Sequence, residues 1–199
     1  FNEYFYQHYN RSNLIVTVVG NFSEDELIDS INEKCNGWVS ISNKTFKTKQ
    51  VPLHASNQLI TFDQSSEHAY INLGLQGLES ENDLTPLLDL INMIFGEGMS
   101  SRLFIKIRER LGLAYDISSA TNSYADSGTW IINCSVKQVN CLDAIKAIIG
   151  ELHSITHSVT AQELLNVQKY AKGKLLLAME DTERKVTACT MEPKASGHA

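Results

Sequence analysis

Two kinds of hydrophobic periodicity alternate along this chain and predict its secondary structure. Apolar residues two apart, or β-branched runs bounded by polar residues, predict strands over residues 14–20, 58–63, 67–76, 113–123 and 128–137. Apolar residues three and four apart predict helices over about 24–35, 85–95, 141–155 and from 160 past 179, and residues 2–9 are expected to end another helix. Because strands and helices are grouped without a regular β-α-β order, we predict the α+β class, with a mostly antiparallel sheet layered against helices on one face.

Residues 95–126 carry the most distinctive local pattern. Gly96 and Gly98 predict a turn, because glycine adopts backbone conformations that a Cβ disfavours. Ser100 or Ser101 is a candidate N-cap for the helix that follows, since a serine oxygen accepts from the free N–H groups of a first turn. The apolar face of that helix comprises Leu103, Phe104 and Ile107. A further glycine ends it before the next strand.

Length and composition exclude several classes of function. The chain has 199 residues, which is enough for one domain or slightly more with a buried core. A formal net charge of −6 argues against a nucleic-acid partner, which would need a basic face. No apolar run approaches the ~20 residues of a membrane span. Four cysteines lack Cys-x-x-Cys spacing and are expected to be reduced structural thiols of an intracellular protein: Cys35, Cys134, Cys141 and Cys189.

A change of composition predicts a domain boundary within residues 40–57. Residues 40–57 are polar and lysine-bearing with a single proline, which is typical of an extended linker. We therefore assign residues 1–45 to the tail of one domain and residues 46–199 to a second. Because the chain starts at Phe1 with neither Met nor a signal pattern, we expect an excised or processed piece. The residues from Met191 onward differ in composition and are expected to be flexible.

The run G-x-G-M-S-S-R-L-F-x-x-I-R-E-x-x-G-L-A-Y at 96–115 closely resembles the second domain of the pitrilysin and mitochondrial-processing-peptidase family of zinc metallopeptidases. Residues 5–21 are similar to the end of that family's first domain, and residues 161–180 to one of its late helices. The resemblance implies a processing-peptidase-like fold for both parts. Residues 1–45 would be the tail of the first such domain, and 46–199 a second one that is incomplete at its C-terminus.

The catalytic signature of that family is absent from this sequence. It is an inverted zinc motif, His-x-x-Glu-His, in which two histidines hold the metal and the glutamate activates its bound water. His153 and His157 have the right spacing, but Thr156 occupies the position of the glutamate and cannot serve as a carboxylate base. With no third ligand nearby in sequence, we expect solvent-facing histidines and no metal on this chain. The zinc expected in the intact enzyme would be bound outside it.

The resemblance also implies two residues that bind substrate. In family members an arginine and a tyrosine seven positions apart contact the bound peptide and help stabilise the reacting carbonyl, and Arg108 and Tyr115 match those positions. A guanidinium and a phenol are both donors that suit an oxygen gaining negative charge. The alternative is structural: Arg108 would form a surface ion pair, for example with Glu109, and Tyr115 would be an ordinary strand aromatic.

The glycine turn at Gly96 and Gly98 has two interpretations as well. Glycine-rich segments are implicated in substrate capture in one type of family subunit. Glu97 interrupts the glycine run here, and the segment is short, so a tight structural turn is favoured.

Three functions follow from these observations. The first is the C-terminal, non-zinc-binding portion of a zinc metalloendopeptidase, inactive alone. It would act on a peptide or unfolded polypeptide together with an N-terminal zinc-binding half or partner subunit. The second is a non-catalytic partner or scaffold subunit, as in some processing peptidases and a respiratory complex. The third is a peptide-binding module, in which an extended peptide pairs as an added strand with an exposed edge of the sheet. A homodimer is a further candidate assembly, and the expected compartment is a bacterial cytoplasm or an organelle matrix.

The resemblance implies that the second domain lacks its own last strand, the equivalent of residues 14–20. We therefore expect this strand to pair with the sheet of the second domain, within or between chains, or to leave an aggregation-prone edge.

Overall fold

The computed structural model describes residues 2–38, 57–63 and 65–191. Its contacts divide the chain into two units, one made of residues 1–47 and 172–199 and the other of residues 48–171. Most of the predicted linker, including the boundary placed between residues 45 and 46, lies outside the described residues, as does the tail beyond residue 191.

The elements follow the predicted order from residue 67 onward. In chain order they are α1 (Asn2–His8), a 3-10 turn (Arg11–Asn13), α2 (Glu24–Lys34), β1 (His68–Gln76), α3 (Thr85–Phe95), a π-helix (Phe104–Arg110), β2 (Ala114–Ser123), β3 (Gly128–Lys137), a second 3-10 turn (Gln138–Asn140), α4 (Cys141–Ser158), α5 (Ala161–Glu180) and α6 (Thr182–Met191).

The three described strands form one antiparallel sheet in the order β1-β3-β2. Cys134 of β3 lies opposite Ile71 of β1 on one side and Ile117 of β2 on the other. Side chains of residues directly opposite each other in a sheet point to the same face, and all three of these are buried. On the other face Tyr70 and Asn133 are exposed. The sheet therefore has one core face, and β1 and β2 are its edges among the described residues.

The helices of this unit cover that core face. They contribute buried side chains that pack with the strands in a single apolar cluster: Ile94 and Phe95 from α3, Leu103 and Ile107 from the segment entering and forming the π-helix, and Ala144, Ile148 and Ile155 from α4. Phe95 is fully buried, and its ring meets that of Trp130 edge-on at a centroid distance of 5.1 Å. This arrangement confirms the α+β prediction with helices on one face of an antiparallel sheet.

Two of the predicted strands do not form. Residues 14–20 and 58–63 are outside any strand, and the sheet contains neither of them. Their apolar side chains are largely exposed; Ile15, for example, is 64% exposed and Phe62 is 90% exposed. A β-branched run needs a partner strand to satisfy its backbone groups, and neither segment has one among the described residues. The described sheet does not contain residues 14–20, so pairing within the chain is not seen; pairing between chains and an aggregation-prone edge stay predictions.

The sequence contains two capping-box patterns, Ser23 to Glu26 and Thr160 to Glu163, and they have different outcomes. Ser23 precedes α2, but its side chain makes no cap hydrogen bond. At the start of α5, in contrast, the backbone N of Glu163 donates to Thr160 Oγ1 at 3.2 Å and the backbone N of Thr160 donates to Glu163 Oε2 at 2.8 Å. These reciprocal bonds confirm the predicted helix start, because they satisfy two donors that the first turn leaves free.

Candidate functional site

The helix that carries Arg108 is a π-helix rather than the α-helix that its spacing suggests. The wider turn is visible at its end, where the backbone N of Leu111 donates to the carbonyl of Lys106, five residues back, at 3.0 Å. Ser101 is buried before its start, and its Oγ accepts from the backbone N of Phe104 at 3.4 Å. Short π-helical segments are rare and occur frequently at functional sites.

Three pairs of residues lie on three sides of this segment, and the two members of each pair are four positions apart. Leu103 and Ile107 are fully buried in the core. Arg102 and Lys106 both bond to Glu151 of α4. The third pair is Phe104 and Arg108, whose guanidinium carbon lies 4.7 Å from the centroid of the Phe104 ring. The segment is therefore anchored by two of its pairs, and the third contains the candidate substrate-binding arginine.

Arg108 is half-buried, and its contact with Phe104 is a cation–π interaction. No carboxylate in the described part of the chain lies within ion-pair distance of its guanidinium. The surface ion pair with Glu109 that the sequence allowed is therefore not formed. A guanidinium has five N–H donors, and stacking on an aromatic ring orients the group without using them.

Tyr115 lies on a second backbone irregularity. β2 pairs with β3 through Ala114 opposite Val136 and Asp116 opposite Ser135, so that Tyr115 is the extra residue of a β-bulge. Its side chain is 77% exposed. The chain reaches this point from the π-helix through Gly112, whose φ of +61° is a left-handed conformation. A bulge redirects the side chains around it and is found often beside active sites.

The glycine turn is tied to the sheet by close contact. Gly96 ends α3, and its carbonyl accepts from the backbone N of Ser119 at 3.0 Å. A Cβ on Gly96 would lie 2.7 Å from the Cβ of Ser119 and 2.8 Å from its backbone N, so only glycine fits there. Gly98 has a φ of +86°, which also favours glycine. These contacts fit the structural interpretation of Gly96 and Gly98.

A buried asparagine connects this turn to two strands. Asn92 Oδ1 accepts from Ser119 Oγ at 2.6 Å and from Trp130 Nε1 at 2.9 Å. Its Nδ2 donates to Glu97 Oε2 at 3.3 Å. Because the Ser119 hydroxyl and the Trp130 indole N–H are buried, the amide oxygen satisfies polar atoms that the core would otherwise leave unpaired.

A cavity of about 540 Å³ opens beside the same turn. It is lined by Met93, Ile94, Glu97, Gly98, Met99, Ser100, Glu163, Asn166, Val167 and Tyr170. Its walls come from the end of α3, from the turn and from the start of α5. No sequence pattern pointed to this cavity, because its α5 wall lies 63 to 77 residues beyond its other walls along the chain.

The comparison with known protein families agrees with the fold and with the motif at 96–115. The family model of the peptidase M16 inactive domain matches residues 1–170. The chain belongs to the peptidase M16 family. The resemblance seen in the sequence is thereby confirmed, and the matched part of the family is the domain described as inactive.

The M16 relatives are about twice as long as this chain. YmxG, an uncharacterised zinc protease of Bacillus subtilis (strain 168), is 30% identical over 187 residues, which cover 93% of this chain and 44% of the relative. A protease from Helicobacter pylori superposes with a TM-score of 0.85 at 17% identity, covering 96% of this chain and 47% of that one. A chain of complex III2 from Candida albicans gives a TM-score of 0.68 at 18% identity, with coverages of 90% and 44%. The last two likenesses show the fold.

The M16 relatives are named as zinc proteases, but the residues that the structure describes do not fit a zinc site. Within the described ranges no group of three or more His, Cys, Asp or Glu side chains could hold a metal ion. His153 and His157 are exposed on α4, and Thr156 Oγ1 donates to the carbonyl of His153 at 2.7 Å. A protein zinc site needs at least three such ligands. Over the same described ranges, no helix is long and apolar enough to cross a membrane.

A charged cluster that joins Arg102 to α4 and α5 of the M16 domain was not recognised from the sequence. Arg102 donates through Nε and Nη2 to the two carboxylate oxygens of Glu163, both at 2.8 Å. It also donates to Ser158, through Nη1 to Oγ at 2.8 Å and through Nη2 to the carbonyl at 2.7 Å. The partners are 56 and 61 residues from Arg102, so only the tertiary fold brings them together.

The change Glu163→Gln is expected to reduce the acid sensitivity of the folded chain. The hydrogen bonds from Arg102 lower the pKa of Glu163 from 4.5 to about 2. The contribution of this carboxylate to the free energy of unfolding is therefore complete above pH 4.5 and is lost as the pH falls toward 2. Urea unfolding at pH 7 and pH 3 should show a smaller loss of stability in the variant than in the wild type. Glu109→Gln, at an exposed position of the π-helix, should retain the wild-type loss; equal losses in all three proteins would contradict this assignment.

Proposed function

We propose that this chain is the non-zinc-binding portion of a zinc metalloendopeptidase, with Arg108 and Tyr115 as its substrate-binding residues. In this proposal a peptide or unfolded polypeptide lies between this chain and a zinc-binding half or partner subunit. The guanidinium and the phenol donate to the carbonyl oxygen under attack. Two donors held in advance at that oxygen lower the barrier, because they stabilise the negative charge that develops on it.

The observation that carries the proposal is the backbone around these two residues. Arg108 lies in a π-helix and Tyr115 in a β-bulge, and a single left-handed glycine, Gly112, lies between them. Regular geometry would be the lower-energy choice for a helix and a strand whose only role is packing. Two irregularities within eight residues, each at a position matched by the family motif, favour a role for both side chains in binding.

The availability of the donors supports the same interpretation. Arg108 is oriented by the Phe104 ring and has no carboxylate partner among the described residues, so its N–H groups are free to meet a peptide carbonyl. Tyr115 presents its side chain to solvent. A purely structural arginine would be expected to have its donors satisfied within the fold.

The proposal is tested by Arg108→Ala in this chain assembled with its zinc-binding half. We expect kcat for a peptide substrate to fall about 100-fold, which is the effect of removing one oxyanion donor. Tyr115→Phe, which removes only a hydroxyl, should lower kcat about tenfold. Steady-state kinetics separate these effects from KM.

Arg110→Ala is the matched control, because Arg110 is an exposed arginine at the end of the same π-helix. It should leave kcat within about twofold of the wild type, since the proposal assigns it no contact with the substrate. A loss of less than twofold for Arg108→Ala in an active assembly would overturn the assignment.

The second candidate is a non-catalytic scaffold subunit. It is favoured by the likeness of this fold to a chain of complex III2 from Candida albicans. Under this alternative, assembly with the partner half yields no peptidase activity above background, and neither Arg108 nor Tyr115 affects the stability of the assembly.

A further inference from the structure

Glu151, in the middle of α4, is a buried charged residue whose presence apolar packing does not explain. The buried residues of this helix are Ala144, Ile148, Glu151 and Ile155, spaced four, three and four apart along its core face. Glu151 thus occupies a position that the helical pattern reserves for an apolar side chain, and its side chain is only 6% exposed. A carboxylate is rarely buried unless it is paired, so its partners explain its presence.

Both partners of Glu151 belong to the segment that carries Arg108. Lys106 Nζ donates to Glu151 Oε2 at 2.5 Å, and Arg102 Nη1 approaches Oε1 at 3.4 Å. Lys106 is inside the π-helix and Arg102 is two residues before it. One buried carboxylate therefore holds this segment at two points, four residues apart. We call Arg102, Lys106 and Glu151 the clamp.

The clamp and the candidate substrate residue lie on different sides of the same helix. Residues two apart in a helix do not share a face, so Lys106 and Arg108 point in different directions. Arg108 is oriented by Phe104, and the buried pair Leu103 and Ile107 separates this side from the clamp. The apolar pair would tolerate a small rotation or slide of the segment. Arg102 is also bonded to Glu163 before the π-helix begins, so Glu151 acts on the π-helix itself through Lys106. A carboxylate bonded to two cations is directional, so it resists such a movement.

We propose that Glu151 is a positioning residue that fixes the rotation and register of the π-helix and so aims the Arg108 guanidinium at the substrate carbonyl. This inference rests on the proposed function of Arg108. The clamp touches no substrate and acts only through the helix that it holds. A displacement of about 1 Å in a catalytic donor is enough to lower the rate severely, so loss of the clamp is expected to affect kcat more than KM.

The first test is a double-mutant cycle in this chain assembled with its zinc-binding half. Glu151→Gln keeps the shape of the side chain and removes its charge; we expect kcat to fall about tenfold with KM within about twofold. Arg108→Ala should lower kcat about 100-fold. If Glu151 acts through Arg108, the double variant is no slower than Arg108→Ala alone, whereas independent roles give the product of the two losses. An additive double variant would overturn the inference.

The second test uses the chain by itself and does not depend on activity. Hydrogen exchange of the backbone amides of residues 104–110 should be about tenfold faster in Glu151→Gln and in Lys106→Met than in the wild type, because the clamp restrains the opening of this segment. Lys106→Arg, which restores the cation, should return the exchange to the wild-type rate. Exchange in β3 should be unchanged in all three variants, which shows that the fold is retained.

The two tests separate failure of the inference from failure of the proposed function. If Arg108→Ala leaves kcat unchanged, the proposed function fails. The clamp is then judged by hydrogen exchange alone, and unchanged exchange of residues 104–110 in Glu151→Gln overturns it. If Arg108→Ala lowers kcat but Glu151→Gln changes neither kcat nor exchange, the proposed function stands and Glu151 is not a positioning residue.

Discussion

Replacement of Asn92 by alanine is expected to lower the free energy of unfolding by about 3–5 kcal/mol. The side chain is almost fully buried, and its Oδ1 accepts from both Ser119 Oγ and Trp130 Nε1. Alanine removes this shared acceptor and leaves two buried donors without a partner, each at about 1–3 kcal/mol. It also leaves a small cavity at the end of α3, which adds to the loss. Urea unfolding followed by circular dichroism measures the change.

Thr121→Val is the matched control for Asn92. Thr121 Oγ1 donates to Asp89 Oδ1 at 2.7 Å, so it also links β2 to α3, but the pair is only partly buried. Water can replace the lost bond there, and the expected loss is no more than about 1 kcal/mol. A similar loss for both variants would show that the buried amide has no special role.

Replacement of Gly96 by alanine is expected to lower the free energy of unfolding by about 3 kcal/mol or more. The new Cβ would overlap the side chain of Ser119 and lie 2.8 Å from its backbone N. The backbone of Ser119 is paired with Ile132 of β3 and cannot move aside as a flexible side chain can, so α3 and β2 must separate. Overpacking of this kind costs about 1–3 kcal/mol and more where the backbone itself is displaced.

Two other glycines give graded controls for Gly96. A Cβ on Gly74 of β1 meets nothing within 4 Å and its φ is not in the left-handed range, so Gly74→Ala should be nearly neutral. Gly98 has equally open surroundings but a φ of +86°, so Gly98→Ala should show only the strain of that conformation, about 1 kcal/mol. If Gly96→Ala is no worse than Gly98→Ala, the close approach of Gly96 to β2 is not what requires glycine.

Local periodicity was sufficient for most of the unit formed by residues 48–171. The alternation in β1 and the three-and-four spacing in α3 and α4 appear in the structure at nearly the predicted bounds. The capping box of Thr160 and Glu163 forms at the predicted helix start, because its bonds join residues three positions apart. In each case the physical cause lies within a few residues, so the pattern that predicts the element also contains its energetics.

Local patterns did not predict the backbone conformation of the candidate site. The four-residue spacing of Leu103 and Ile107 suits an α-helix and a π-helix alike, so the sequence could not predict the wider turn around Arg108. The bulge at Tyr115 depends on how β2 aligns with β3, and alignment is a property of the pair of strands. The motif identified both residues, but it could not predict the backbone that presents them.

The sequence of this M16 domain is enough to specify its class, its family and the order of its elements from residue 67 onward. It does not specify which β-branched runs become strands: residues 14–20 and 58–63 have suitable composition but no partner strand in the part of the chain that the structure describes. Nor does it reveal that Glu151 lies against Arg102 and Lys106, which are 49 and 45 residues away in the chain. The physical reason is the range of the interactions. Propensity and capping act between neighbours, whereas strand pairing, buried ion pairs and backbone irregularities depend on packing between distant segments.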